Sequence, residues 1–451
     1  MGNSSSDVER TPGGYIQVFF LSYPVVITMF SQTLVGLFGT MMVGRIETSQ
    51  LGAAGLGSMV SWTFLSLFNG IISSASTFVS QSYGARQYDD IGKIVWHYIY
   101  IALFSYVILL ILSFFSKYIL RVIGASSEVE SYSLVYLRIQ LYFAIGNFIS
   151  FVFIGFFRGI GDTKTPMYIT IFVSVFNILT GYLLIFGKLG FPRLEVAGVS
   201  LANGVSSILS FSIYLSIYLS KKNHKLYSTR RFYHLEFDRI RRIIRIGFPA
   251  GIQFLLDNFS FSVFFALIAR MGDTSLAASN TVMTLMTTSF MPMFGISVAA
   301  TTLVGQFIGS NDMSYARKSG YTAIKLGASL GALIAVVFLI LSKQLISLIS
   351  KDAEVVELGS KLLMMISITR LTEGFGVCSS GSLRGAGDTR FPMLVGLTGA
   401  WLIFIPFSYL LGYTFGGGVF GSWIATILYI LFYDITVLLR FRGGKWANIR
   451  I

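Results

Sequence analysis

The chain has 451 residues, of which 54% are hydrophobic, 15% aromatic and only 12% charged, and its formal net charge is +14. A soluble protein of this length would leave too much apolar surface in water, so the composition excludes an ordinary globular enzyme and fits an all-α polytopic membrane protein. The basic residues lie largely in loops beside apolar runs, which argues against nucleic acid as a partner, and the one cysteine, Cys378, excludes a disulfide framework.

Apolar stretches of about 20 residues or more are long enough to cross a bilayer. They are expected near 14–43, 51–81, 92–121, 129–157, 165–187, 196–219, 243–269, 275–308, 316–348, 354–383, 391–413 and 418–440. This predicts twelve transmembrane helices. The expected organisation is an N-terminal tail (1–12), a first six-helix lobe (13–220), a basic linker (221–242), a second six-helix lobe (243–440) and a C-terminal tail (441–451). Six is even, so both lobes enter the membrane from the same side, as parallel repeats related by an axis along the membrane normal. Arg10, Arg86, Lys164, Arg390 and Arg450 gather with the linker's Lys221, Lys222, Arg230 and Arg231 on one side. By the positive-inside rule that side, with both termini, is cytoplasmic.

The repeat is written in the residues. RGIGDTKTPM at 158–167 returns as RGAGDTRFPM at 384–393, identical at seven of ten positions. Pro24 has its counterpart in Pro249, and VSQSYG at 79–84 in VGQFIG at 304–309. Within the phrase, Gly159 and Gly161 permit the positive φ that stops a helix. Asp162, Thr163 and Thr165 can cap the next one, whose first turn tolerates Pro166. Arg158 can pair with Asp162 across the turn, and Arg384 and Asp388 repeat the arrangement. The phrase is read as a helix–turn–helix staple. Pro24 and Pro249 each remove a backbone bond early in the first helix of a repeat, which suits helices that bend or move.

A charged side chain at the bilayer centre costs at least ~2.5–3.5 kcal/mol, so mid-span ionisable residues face a protein interior or cavity. Asp257 falls near the middle of the seventh span and Glu373 near the middle of the tenth. Gln253 and Ser260 share the helix stripe of Asp257. Asn258 lies beside it, and Phe254, Phe261 and Phe264 are close enough in sequence to hold an organic cation by cation–π attraction. Arg370 stands three residues before Glu373 and can neutralise it. Asp434 is expected nearer the cytoplasmic end, meeting Arg440 or water, and His97 at the interface. No HExxH, GxSxG or Walker-A pattern occurs, so no enzyme is expected, and with no nucleotide site the energy source is expected to be an ion gradient.

The doubled RGxGDTxxPM phrase, the first-helix prolines, VGQFIG at the end of the eighth span and the two-by-six layout together resemble the multidrug and toxic compound extrusion (MATE) family over essentially the whole chain. The resemblance implies a V-shaped pair of lobes in the plasma membrane. It implies a monomeric antiporter that exports organic cations or drugs against inflowing Na⁺ or H⁺, with no other cofactor. GFPAGIQFLLDN is similar to the family's seventh helix and puts Asp257 at its acidic cation-site position; Glu373 falls where the tenth-helix acid is expected. The first lobe departs from the prokaryotic pattern: Phe38-Gly39-Thr40 replaces an aspartate phrase, and Asn177 and Gly181 stand where an N-x-x-x-D motif is usual. Laying one repeat on the other sets Asp257 against Gln32 and Glu373 against Asn147. Ion coupling is therefore expected through Asp257 and Glu373, acting as a pair, with Gln32 and Asn147 merely lining the first lobe. The competing reading is a flippase for lipid-linked sugars, which would need deep cations such as Arg370 for a pyrophosphate.

Overall fold

A computed structural model of the chain describes residues 12–46, 48–123 and 126–449. Most of the N-terminal tail, Arg10 and Arg450 lie outside the described residues, which contain no β-strand. The first half runs through α1 (Tyr15–Val43), α2 (Thr48–Ser73), α3 (Ala75–Gly84), α4 (Tyr88–Ile123), α5 (Ser127–Tyr142), α6 (Ala144–Gly159), α7 (Lys164–Phe186) and α8 (Glu195–Tyr218). The short α9 (Lys221–Tyr227) leads to α10 (Phe237–Ala269), α11 (Asp273–Gly309), α12 (Met313–Ile349) and α13 (Ala353–Gly385). The last spans are α14 (Arg390–Thr398), continued by α15 (Ile405–Tyr409), and α16 (Gly418–Arg442).

Eleven of the resulting helices are long and apolar enough to cross a membrane, with α2 and α3 counted as one. The twelfth expected span is a bent pair, α5 and α6, which turn by 46° at Phe143. The eleventh span is irregular too, with π-helical turns at Gly399–Phe404 and Leu410–Thr414. Polar side chains start several helices by accepting otherwise unused backbone N–H groups. Asp312 accepts from Tyr315 at 3.1 Å, and Asp352 accepts from Glu354 at 2.9 Å and Val355 at 3.2 Å.

The repeated phrase turns as expected, but its two copies are held differently. Gly161 and Gly387 take φ of +87° and +85°, a left-handed turn that favours glycine. Gly159, expected to share that conformation, stays inside α6; a side chain there would press on Val79 of α3, so its smallness serves packing. Asp162 caps α7, accepting from the Thr165 N–H at 3.0 Å and the Thr165 hydroxyl at 2.5 Å. Asp388 instead accepts from Arg440 Nε of α16 at 2.9 Å, and that guanidinium lies 4.7 Å over the Phe391 ring. Arg440 is thereby committed, and the expectation that Asp434 meets it is overturned.

The chain forms two compact units: Ile27–Leu255, and the segment up to Val26 together with Leu256–Ile451. The first helix of each repeat, α1 and α10, thus starts in one unit and passes into the other a little after its proline. Within the unit of Ile27–Leu255 the linker is fastened to α4. Trp96 Nε1 donates to the Thr229 carbonyl at 3.2 Å and Tyr100 to the Tyr233 carbonyl at 2.7 Å. Ser228 bonds Asp89, and Arg239 pairs with Asp90 at 2.9 Å. His97 is fully buried there: Nε2 accepts the Glu236 N–H at 3.0 Å and Nδ1 faces the Lys93 carbonyl at 2.7 Å. It is a fastener of the linker and not the interfacial tip expected.

In the other unit α13 is the most buried of the spans. It carries many small residues, and at Gly374 its backbone meets that of Gly327 in α12 with no room for a Cβ on either side. Small residues supply close packing where lipid gives helices no hydrophobic reason to associate. The start of α1 belongs to this packing: Val18 is fully buried in a core with Leu303, Val304 and Phe441, and the Thr322 hydroxyl donates to the Gly13 carbonyl at 2.8 Å.

Candidate ion and substrate site

Asp257 is half-buried on α10. Its carboxylate lies close to the Tyr429 hydroxyl of α16 and within electrostatic reach of Arg384. Tyr429 is itself fixed by stacking on Phe404, with ring centroids 5.4 Å apart and planes 18° from parallel. Ser260, expected beside the carboxylate, is fully buried and gives its hydroxyl to the backbone carbonyl of Asp257 at 2.8 Å, so it trims the helix and does not line a site. Phe264 is 1% exposed and packs against Phe404 and Trp423. That ring is core, and the expectation that it waits for a cation fails. Phe259, unremarked in the sequence, is exposed and stacks on Trp401 at 5.8 Å. Gln253 is buried and Phe254 half-buried in the stretch of α10 that belongs to the other unit, while Asn258 is half-buried next to Asp257.

Glu373 lies on α13 with its side chain 14% exposed, and Arg370 Nη2 stands 2.6 Å from its Oε2. The pair is made by distance and charge, without the in-line geometry of a hydrogen bond. Arg370 is fully buried. Its Nη1 donates to the Met286 carbonyl at 3.3 Å and to the Ser289 hydroxyl at 3.2 Å, and its Nη2 to the Thr369 hydroxyl at 3.4 Å. Its Nε is buried without a hydrogen-bond partner among the described residues.

Asp434 of α16, expected to meet Arg440 or water, lies instead beside Glu373 and Arg370. It is 1% exposed and lies close to Thr372 and within electrostatic reach of both Glu373 and Arg370. Its carboxylate fills the notch left by Gly376, where any Cβ would collide with it. The sequence signal was there, a mid-helix acid opposite a small residue. Depth along the span alone could not say which helix it faced.

Thus Asp257 and Glu373 keep different company, Tyr429 and Arg384 for one, Arg370 and Asp434 for the other. Arg384 lies near Asp257 and Asp388 near Arg440, so the second copy of the phrase reaches towards the acids. In the unit of Ile27–Leu255, Gln32 is exposed, while the Oδ1 of Asn147 is buried without a hydrogen-bond partner. Here a cavity of about 220 Å³ is lined by Gly39, Thr40, Ser58, Tyr136, Asn177 and Asn203 among others, none of them acidic. Asn177 Nδ2 donates to Asn203 Oδ1 at 2.9 Å and to the Ser206 hydroxyl at 3.1 Å. Gly39 and Gly181, which stand where the family pattern has aspartates, line this cavity together with Thr40 and Asn177.

Comparison with known proteins gives consistent results. The model of the family described as MatE matches residues 24–183 and 249–410, one stretch in each repeat. A probable multidrug resistance protein NorM of Thermotoga maritima is 27% identical over 449 residues, covering 98% of this chain and 95% of that protein. The multidrug resistance protein MdtK of Proteus mirabilis is 26% identical over 415 residues, covering 90% and 91%. A solved multidrug resistance MATE family transporter of the MOP superfamily, in an outward-facing conformation, superposes with a TM-score of 0.89 at 20% identity over 98% of both chains. The eukaryotic MATE transporter AtDTX14 superposes with 0.84 over 96% of both. At 20% identity these two likenesses speak for the fold.

Proposed function

The chain belongs to the MatE family of multi-pass membrane transporters, and on that premise we propose that it is a secondary antiporter exporting organic cations or drugs in exchange for Na⁺ or H⁺. The observation that carries the reading is the pair of acids, Asp257 and Glu373, on interior positions of one repeat where the other repeat has amides. An amide accepts hydrogen bonds but neither takes up a proton at neutral pH nor supplies a full charge to Na⁺. Ion binding and release are therefore assigned to Asp257 and Glu373, with Gln32 and Asn147 outside the coupling. Arg370 holds Glu373 when no ion is bound. The multidrug names of the relatives support drug-like cations as the cargo. The flippase reading has less behind it, because the fully buried guanidinium of Arg370 is engaged by Glu373, Met286 and Ser289.

We place the protein in the plasma membrane as a monomer, with both termini and the linker on the cytoplasmic side. Efflux of a fluorescent organic cation from proteoliposomes, with Na⁺ and pH gradients imposed separately, tests the proposal: one of the two gradients should drive transport. Absence of export under either gradient would sink it. Cysteines introduced in the linker should react only from the inside, and labelling from outside would reverse the orientation.

A further inference from the structure

We infer that the opening of α10 is a docking face for an anionic phospholipid of the surrounding bilayer. Arg241, Arg242 and Arg245 hold its phosphate, and Phe237, Ile244 and Phe248 lie along its acyl chains. The site needs only the multi-pass fold, and neither the exchange reading nor the orientation.

Helix geometry gathers these residues. One side of α10, with Ile240, Ile243 and Ile246, is buried or half-buried. At Gly247 and Gly251 its backbone presses on Ile71 and Leu67 of α2 with no room for a Cβ. The other side is therefore turned outward, and it divides lengthwise. At 3.6 residues per turn, Phe237, Ile244 and Phe248 fall within about 40° of one another, and the three arginines fill roughly the next 100°. All six are exposed, the apolar ones by 78%, 43% and 47%.

The charges on this face are unspent. Arg239, turned inward on the same helix, pairs with Asp90 and Glu236. Among the described residues no carboxylate pairs with Arg241, Arg242 or Arg245. Asp238 shares their edge, so three cations against one acid leave an excess of two positive charges. The strap before them is pinned to α4 through Thr229, Tyr233 and Glu236, which holds the face in one direction.

Length sets the depth. The 33 residues of α10 rise ~50 Å, about 20 Å more than the ~30 Å hydrocarbon core. Residues 263–269 at its far end carry no charge, so the surplus lies at the arginine end, level with the phosphates. Cations kept only to set topology can sit in water and need no apolar edge beside them. A basic edge joined to an apolar one is the pattern that lies at a headgroup boundary, with the arginine stems reaching from one layer to the other.

The test titrates purified full-length protein in detergent with phosphatidylglycerol, and with phosphatidylcholine as the neutral control, and reads the bound lipid by native mass spectrometry. Wild type should prefer phosphatidylglycerol. Arg241→Gln with Arg245→Gln should weaken that binding about 25-fold, or about fivefold per guanidinium, and leave phosphatidylcholine unchanged. Lys222→Gln with Lys225→Gln removes the same charge from exposed positions of α9 and should change the affinity about twofold at most. Phe237→Ser alters no charge and should weaken binding about threefold or more, which keeps the test open if the arginine pair folds poorly. Excess inorganic phosphate should leave the lipid in place. Equal affinity for the two lipids, or a loss in the lysine pair as large as in the arginine pair, overturns the inference. So does an unchanged Phe237→Ser, or displacement by inorganic phosphate, which would make the face a site for free anions.

Discussion

The two repeats share a fold and differ in what they bury. The second carries Asp257, Glu373 and Asp434 inside the membrane, with Arg370 among them. The first has Gln32 and Asn147 at the positions matching two of those acids, Ala144 at the position matching Arg370, and a cavity joined by the Asn177–Asn203 hydrogen bond. At those positions amides and small residues keep the helices packed with no acid to balance. The comparison teaches that the same packing tolerates amides at positions where the other copy has acids. Under the proposed coupling, one copy of the unit shows what the helices need in order to fold, and the other what they would need in order to hold an ion.

The largest expected effect tests that separation directly. Asp257→Asn and Glu373→Gln should each abolish gradient-driven efflux from proteoliposomes while the protein still elutes as a folded species. Gln32→Ala and Asn147→Ala should keep coupling and alter substrate affinity at most. If an amide variant uncouples transport, or both acid variants still couple it, the division between the repeats is wrong.

A smaller effect concerns stability. Arg370→Ala removes the guanidinium but leaves Glu373 buried, and breaking a buried pair from one side costs ~3–5 kcal/mol. The loss should be recovered in part by adding Glu373→Gln, and chemical denaturation in detergent can follow both steps. Equal stability of the single and double variants would show that the pair carries no such penalty.

The smallest expected effect sharpens the contrast between the two copies of the repeated phrase. Asp388→Ala strands Arg440, whose side chain is 23% exposed, and should cost about 2 kcal/mol, in the range for hydrogen bonds to charged groups. Asp162→Ala removes only a helix cap, typically ~1 kcal/mol. Thermal melts should rank Asp388→Ala below Asp162→Ala, with substrate preference unchanged in both. A well-folded variant with a changed substrate range would turn the staple into a contact with cargo.

Much of this was legible in the residues because hydropathy and repetition are one-dimensional signals. Twelve spans, their pairing into repeats, the capping role of Asp162 and the depth of Asp257 and Glu373 all follow from order along the chain. What failed was contact across helices. Asp434 was given the wrong neighbour, Arg440, since the notch at Gly376 becomes visible only when α13 and α16 are set side by side. Phe264 and Ser260 shared the stripe of Asp257 on paper, yet one is core and the other bonds its own backbone. The bend at Phe143 has no proline to announce it. His97 looked interfacial because nothing in the sequence told of the linker folding back on α4.

The membership of the first helix bears on how the protein is made. Gly13 accepts its hydrogen bond from Thr322, 309 residues later, and Val18 packs in a core whose other members run from Ile296 to Trp446. Chains leave the ribosome at roughly 5–20 residues per second, so the ~200 residues from Leu256 to the end take on the order of 10–40 s to appear. For that interval the unit of Ile27–Leu255 has every residue it needs, while the opening of α1 waits for partners not yet synthesised. The opening of α1 is thus made early and placed late. A nascent chain arrested just after Leu255 would hold one unit complete and the threshold of the other exposed.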